Sequence, residues 1–283
     1  MNIKNKIDVN EVIALNEQGL NQKQIAERLG IKKSSFTYWV NKLNIPIQKR
    51  NKYHVNEDFF DVIDTEEKAY LLGYFIADGC LYYENKKHNG VIDGHSKRLS
   101  LTVSEDDREV IELFQKFICP SKPIEHSNNQ SGVKVKRKPQ LKFRWNSDKM
   151  FDKLVSYGIK PRKTYDNEFK LPDGLIPDKL LRHFIRGFFD GDGTKGRCNL
   201  KFCVNSKHFA KQIANFFAPL KSSIWEIQGK TCIYYTLQIN GGKCLMAFTI
   251  SAFYKDASYY LSRKKDKFDP ELIDLITKGK SIV

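Results

Sequence analysis

Apolar residues near the start of the chain recur at the three- and four-residue spacing of amphipathic helices. The pattern predicts three short helices, the second opening on a polar cap at Asn21 and stopping at Gly30, and the third presenting Phe36 to the core. We therefore expect a small all-α domain over residues 1–46. Residues 47–64 show no sustained period and are predicted to form a linker.

The three predicted helices resemble a helix-turn-helix. Ala26 is small where two helices must cross, Gly30 suits the tight turn, and Phe36 and Trp39 dock the third helix. The outward face of that helix is polar and suited to phosphates or base edges, which predicts DNA contact. Its members are Lys32, Lys33, Ser34, Thr37, Tyr38 and Asn41. A helical scaffold or a protein-contact module with a solvated face is the alternative.

From residue 65 onward the chain repeats itself. Setting Gly73 over Gly187 aligns "LLGYFIADG" with "IRGFFDGDG" and pairs Asp78 with Asp192. After each aspartate, the pattern predicts a strand leading into a helix and then further strands. The order α-β-β-α thus occurs twice, which predicts an α+β fold with repeats over residues 65–170 and 171–283.

The two repeated helices are predicted to end at their aspartates, with Gly79 and Gly193 as left-handed terminal residues. Residues four apart share a helix face, so each copy carries a pair of small residues that allows close helix packing. These are Gly73 with Ala77, and Gly187 with Gly191.

Close packing of these faces would bring Asp78 and Asp192 side by side. Two carboxylates about 4 Å apart repel by ~4 kcal/mol at an effective dielectric of 20, so a cation is expected between them. A hard divalent cation, Mg²⁺ above all, takes carboxylate, backbone carbonyl, water and phosphate oxygens. The alternative is that each aspartate caps a loop or pairs with a lysine. Matched positions in both copies favour the cation site.

The composition indicates the class of molecule that the protein binds. Lys and Arg exceed Asp and Glu by fifteen, which indicates nucleic acid before membrane. Without an 18-residue apolar run or the apolar core of a secretory signal, we expect a cytoplasmic or nucleoid protein with no membrane partner. The six cysteines form no C-x-x-C pair and are expected to be buried free thiols.

A basic stretch, "VKVKRKPQLKFRW" at 133–145, has the period of two that is typical of strands. Six of its residues are basic and none is acidic, so we predict a β-ribbon in the major groove, with Arg or Lys on guanine and Gln on adenine. Outward lysines that serve solubility are the alternative. The DNA-facing residues are predicted to be Lys134, Lys136, Lys138, Gln140, Lys142 and Arg144.

The stretches "LLGYFIADG" and "IRGFFDGDG" resemble the nine-residue motif of the LAGLIDADG homing endonucleases. The likeness covers about residues 64 to 268, including "GIKPRKT" and "YYLSRKKDKF". It implies the monomeric, two-motif branch, in which pseudo-symmetric αββαββα-type repeats form a saddle of antiparallel sheets on DNA. The motif acids would be Asp78 and Asp192, whereas Ile76 replaces an aspartate that is not expected to bind metal.

The resemblance further implies Mg²⁺-dependent cleavage of both DNA strands across the minor groove at a long asymmetric site, leaving 3′ overhangs. The metal ligands would be the two aspartates, and we add the carbonyls of Ala77 and Gly191. Basic residues should assist, and our candidates are Lys195, Lys149 and Lys243, although a solvated surface role is as well supported for each. Some phage and mobile-element members carry an added N-terminal module.

The sequence therefore predicts a site-specific double-strand DNA endonuclease. A DNA-binding transcriptional regulator and an RNA-splicing maturase on the same scaffold stay open as alternatives. We expect no intein, because no nucleophile begins the chain and "KGKSIV" lacks a His-Asn splice junction.

Overall fold

The computed structural model describes residues 7–47, 53–88, 91–127 and 138–277. The chain divides into two compact units, Met1–His54 and Val55–Val283. The first unit holds three helices, as predicted: α1 (Val9–Glu17), α2 (Gln22–Arg28) and α3 (Lys33–Lys42).

Local signals set the ends of these helices. The Asn21 side chain accepts from the backbone of Lys23 and Gln24, and the Gln24 side chain accepts from the Asn21 backbone, which forms a capping box. Gly30 has φ of +65°, a left-handed conformation that glycine adopts without strain. Phe36 is fully buried in the core of this unit.

The second unit consists of two halves with the same element order, αββαββα, which confirms the predicted α+β class. The first half contains α4 (Glu66–Asp78), β1 (Gly79–His88), β2 (Val91–Ser104), α5 (Arg108–Ile118), β3 (Glu125–Ser127), β4 (Gln140–Trp145) and α6 (Asp148–Ser156). The second contains α7 (Asp178–Asp192), β5 (Gly193–Lys195), β6 (Asn199–Val204), α8 (Lys207–Phe216), β7 (Lys221–Gln228), β8 (Ile233–Asn240) and α9 (Gly242–Tyr254). Two short helices follow, α10 (Ser262–Lys265) and α11 (Pro270–Thr277).

Each half has one antiparallel four-stranded sheet, in the order β1-β2-β4-β3 (sheet A) or β5-β6-β8-β7 (sheet B). Alternate residues of β4 and β6 are buried, so one face of each sheet packs on the core. We call the opposite face the outer face. None of the helices in the described parts of the chain has the length and apolarity of a membrane span.

The prediction that Gly79 and Gly193 are left-handed is wrong. Both residues are extended, with φ of −70° and −93°. Glycine is required for another reason, since a Cβ at either position would overlap the ring of Phe75 or Phe189 one turn earlier.

The prediction of buried thiols is wrong for most cysteines. Cys119 is buried, but Cys198, Cys203 and Cys244 are exposed and the remaining two are half-buried. Cys203 is exposed because it lies at an outward position of β6, between two buried residues. All six thiols are free.

Part of the segment predicted as a linker belongs to the second unit and contributes to its core. Phe59, Phe60 and Ile63 are buried, and the Phe59 ring stacks on Phe117 of α5. The Asn56 backbone donates to the carbonyl of Ile118 at 2.8 Å. The isolated run "FF" in a polar segment is too short for periodicity to assign it to the core.

Candidate catalytic site at two helix ends

Helices α4 and α7 pack on each other along their glycine faces. A Cβ at Gly73 would overlap the carbonyl of Phe184, and a Cβ at Gly187 would overlap the carbonyl of Tyr70. Nearer the helix ends, Gly191 leaves room only for the Cβ of Ala77. The two backbones therefore touch, which side chains at these positions would prevent.

This packing places Asp78 and Asp192 together, each as the last residue of its helix. Asp78 is open to solvent on one side, and Asp192 is half-buried. Desolvation raises the pKa of Asp78, against the pull of the Lys163 ammonium. Desolvation and the Asp78 carboxylate together raise the pKa of Asp192 to about 6. The raised pKa values mean that the ionised form of both carboxyl groups is disfavoured at this site. A bound cation would stabilise that form.

One lysine meets each helix end. Lys163 Nζ donates to three carbonyls at the end of α4, those of Phe75 at 3.0 Å, Ile76, and Ala77 at 2.6 Å. Lys264 Nζ donates to the Phe189 carbonyl at 3.3 Å and to the Gly193 carbonyl. Burial lowers the pKa of each lysine to about 8, so both ammonium groups are mostly charged at neutral pH.

Neighbouring side chains fix the backbone that carries Lys163. Asn205 Nδ2 donates to the Lys163 carbonyl at 2.7 Å and to the Asp166 carbonyl at 2.8 Å. The preceding residue, Arg162, is left-handed with φ of +59°. These contacts hold the turn that aims the lysine at α4.

The segment that carries Lys264 is held from both halves. Arg263 forms two hydrogen bonds with the Asp107 carboxylate, which follows β2 of the first half. The Leu261 backbone donates at 2.8 Å to Asp190, which also accepts from the Tyr70 hydroxyl at 2.9 Å. Asp190 stands two residues before Asp192 and occupies the motif position held by Ile76 in the first copy. Its role is therefore to anchor this segment.

The donor set suits a hard divalent cation only in part. Two carboxylates on adjacent helix ends are oxygen ligands of the type that Mg²⁺, Mn²⁺ and Ca²⁺ prefer. The described residues hold no cluster of three or more His, Cys, Asp or Glu able to bind a metal. A cation at Asp78 and Asp192 would thus take its other ligands from water, backbone and a DNA phosphate.

Of the three lysines predicted as catalytic, two contact other groups and the third is exposed. Lys149 Nζ forms ion pairs with Asp58 and Asp61. Lys195 lies 5.6 Å from the centre of the Phe268 ring and donates to the Gly196 carbonyl at 3.4 Å. Lys243 is exposed on α9. The contacts of Lys149 and Lys195 do not include the carbonyl groups at the ends of α4 and α7, which Lys163 and Lys264 contact.

The two lysines that reach the helix ends lie in segments whose family likeness is visible in the sequence, "GIKPRKT" and "YYLSRKKDKF". Each segment follows the last large helix of its half and contains an Arg-Lys pair, at 162–163 and at 263–264. That recurrence is the signal that identifies them. The Ala77 carbonyl, a predicted metal ligand, accepts from one of them, and the metal roles of Ala77 and Gly191 stay predictions.

The predicted DNA-facing residues of β4 share the outer face of sheet A. Gln140, Lys142 and Arg144 alternate with three buried residues, as the period of two requires. Arg144 forms an ion pair with Glu125 on β3, and Lys138, just before the strand, pairs with Asp106. Lys134 and Lys136 lie outside the described residues.

In the first unit, the predicted DNA-facing residues of α3 lie on its accessible side. Lys32, Lys33, Ser34, Tyr38 and Asn41 are exposed and Thr37 is half-buried. Lys42 Nζ lies over the rings of Tyr38 and Trp39, at 5.4 and 5.1 Å from their centres. Their contact with DNA stays a prediction.

Comparison with known proteins finds similarity of two kinds. A curated relative, the replication factor C small subunit of Methanocaldococcus jannaschii, is 24% identical over 194 residues, which are 65% of this chain and 9% of the relative. The homing endonuclease I-DmoI in complex with DNA and Ca is 18% identical, with 74% of this chain and 96% of that chain covered and a TM-score of 0.43. I-SmaMI bound to uncleaved DNA in the presence of calcium ions is 11% identical, with coverage of 75% and 99% and a TM-score of 0.41.

Comparison with protein families identifies one part of the chain. The family model of the LAGLIDADG-like domain matches residues 179–250, which run from α7 into α9. The match includes the second motif, with Gly187 and Asp192, and the whole of sheet B. Residues 179–250 are thus similar to the LAGLIDADG-like domain, and this match confirms the resemblance to that family predicted from the sequence.

Proposed function

We propose that the chain is a site-specific endonuclease that hydrolyses double-stranded DNA as a monomer, with Mg²⁺ as its cation. One observation carries this proposal: Asp78 and Asp192 end two glycine-packed helices side by side, and both carboxyls have a raised pKa. Two adjacent carboxylates with a raised pKa, at matched positions of a repeat, are typical of a functional site.

The two aspartates would hold the cation. When bound, it would neutralise charge on the scissile phosphate and make the attacking water more acidic. Lys163 and Lys264 provide positive charge that needs no cation, and their ammonium groups offset the negative potential of the helix C-termini. This charge favours the approach of a phosphate to the acid pair.

The outer faces of sheets A and B would lie on the duplex. Lys142 and Arg144 are suited to phosphates and guanine edges, and the net charge of +15 supports salt-dependent binding. The first unit would extend the footprint through α3, or bind DNA separately, as its exposed Lys32 and Lys33 suggest.

Selection from a randomised duplex library tests the proposal. Purified protein is incubated with Mg²⁺ or with EDTA, and the cut ends are sequenced. We expect Mg²⁺-dependent cuts in both strands within one recurrent sequence, with 3′ overhangs. Asp152→Asn, which changes an exposed carboxylate paired with Lys97, should cut like the parent protein.

Two other outcomes would contradict the proposal. Enrichment of a bound sequence with no cutting in Mg²⁺ or Mn²⁺ indicates a DNA-binding regulator. Tighter binding to structured RNA than to any enriched duplex indicates a splicing maturase.

A further inference from the structure

The two sheets can be compared position by position. Leu99 lies opposite Trp145 in sheet A, and Leu200 lies opposite Ile239 in sheet B. With these buried pairs aligned, outward positions of β4 correspond to outward positions of β8. Arg144 corresponds to Gln238, Lys142 to Thr236 and Gln140 to Tyr234.

The outer face of sheet A is charged. Lys142 and Arg144 lie on β4, and Arg98 lies on β2 with its guanidinium 4.9 Å from the centre of the Tyr82 ring. Arg144 pairs with Glu125 across the sheet. Arg and Lys recognise guanine O6 and N7, while a carboxylate accepts from the cytosine amino group, so this face suits G·C pairs.

The outer face of sheet B has a different chemistry at the corresponding positions. Cys203 lies opposite Thr236, which lies opposite Trp225, and in the next row Tyr234 lies opposite Ile227. We call these five residues the neutral patch, because none of them is Asp, Glu, Lys, Arg or His. Trp225 is 45% exposed, so a large apolar surface faces outward.

The neutral patch is continuous with Asp192 through one cavity. This cavity has a volume of about 250 Å³, and its lining includes Asp192 and Lys163 together with Cys203 and Tyr234 of the patch. A DNA strand that places a phosphate at Asp192 therefore runs beside the patch. This continuity favours DNA as the occupant over another protein.

Resting on the proposed function, we infer that the two halves recognise half-sites of different composition. The neutral patch of sheet B contacts the C5-methyl groups of a thymine-rich half-site, and sheet A recognises the other half-site through guanine. In the major groove the thymine methyl is the one apolar group at a base edge, and apolar side chains or a Thr methyl contact it. Burial of each methyl group should tighten binding about three- to fourfold.

The test uses the duplex enriched from the randomised library, with uracil replacing thymine in one half-site at a time. Uracil lacks the methyl group and keeps the base pair. We expect binding in EDTA to weaken at least tenfold for one half-site and less than twofold for the other. Trp225→Ala should bind the thymine duplex more weakly and lose most of the difference.

Tyr83→Ala is the matched control. Tyr83 is also 45% exposed, but it lies on the opposite face of its sheet, near Phe151 of α6. This variant should keep the uracil effect of the parent protein.

The inference is overturned by equal uracil effects in both half-sites, by none in either, or by an undiminished effect in Trp225→Ala. It is also overturned if sedimentation shows a dimer that Trp225→Ala dissociates, since the patch would then join two copies. Failure of the proposed function looks different, because a parent protein that enriches a duplex without cutting it can still be tested for the uracil effects on binding in EDTA. A parent protein that enriches no duplex overturns the inference as well.

Discussion

The Lys163 ammonium donates to the carbonyl oxygen of Ala77 at 2.6 Å, one residue before Asp78. Lys264 meets the end of the second helix, where it donates to the Gly193 carbonyl just after Asp192. Each half of the site therefore combines one carboxylate with one ammonium group that contacts backbone carbonyls. The two lysines come from segments outside the repeated motifs, so both segments are needed to complete the site.

Replacing either lysine should impair cutting more than binding. Lys163→Met or Lys264→Met is expected to lower the single-turnover cleavage rate about 10²- to 10³-fold, because a positive charge beside the phosphate is lost. Affinity in EDTA should change less than about threefold. Lys149→Met is the control, since that ammonium pairs with Asp58 and Asp61, and its rate should stay within about threefold of the parent. Equal losses in all three variants would contradict the assignment.

Cation binding should depend on pH through Asp192. Because the pKa of Asp192 is raised to about 6, protons compete with the cation below that pH and little above it. We expect the apparent Kd for Mn²⁺ to rise up to tenfold per pH unit below 6. The electron paramagnetic resonance signal of free Mn²⁺ measures this in the presence of a short duplex. A Kd that is flat from pH 5 to 7 would contradict the site.

At the glycine contact between α4 and α7, we expect Gly→Ala substitutions to lower stability, although the same substitution stabilises an isolated helix. In an isolated helix, Gly→Ala is favourable by about 1 kcal/mol. Here a Cβ at Gly73 or Gly187 meets a backbone carbonyl that cannot move aside, so either substitution should destabilise by about 3 kcal/mol. Thermal unfolding should shift down by roughly 6–12 °C. Gly94→Ala is the control, since a Cβ there meets nothing within 4 Å.

Glu66 links the start of α4 to the second half. It accepts from Arg186, which is fully buried, at 2.7 Å and from the Ser258 backbone at 2.8 Å. Burial alone would raise the pKa of Glu66, but the neighbouring His183, a hydrogen bond from the Ser258 backbone and the Arg186 charge lower this pKa to about 2.

Since the folded pKa of Glu66 is depressed, its contribution to stability is complete above the unfolded value near 4.5 and is lost as pH falls toward 2. Glu66→Gln should cost about 3 kcal/mol at pH 7 and about 1 kcal/mol at pH 3. Urea unfolding at both pH values measures this, with Glu67→Gln as the neighbouring control. A cost that does not change with pH would show that charge is not the cause.

The sequence predicts those features that depend on local pattern. The three N-terminal helices, the repeat that aligns Asp78 with Asp192, and the shared face of Lys142 and Arg144 all follow from spacing along a few residues. Helices and strands have fixed periods, so such positions are determined before tertiary contacts form.

Features that depend on distant neighbours were not accessible in this way. Lys163 and Lys264 lie in irregular segments, and only the folded chain brings them to the helix ends. The need for glycine at Gly79 arises from the Phe75 ring rather than from a left-handed backbone. Both cases involve tertiary contacts that local propensity does not encode.

Asp78 and Asp192 are proposed to act together, so that both are required for cleavage of the two DNA strands. Replacing each aspartate separately tests this requirement most directly. Asp78→Asn and Asp192→Asn keep the shape of each side chain and remove its charge. We predict that either variant loses double-strand cleavage of the enriched duplex in Mg²⁺ while its affinity in EDTA stays within about threefold of the parent. Full double-strand cleavage by either variant, at the rate of the parent protein, would contradict the account.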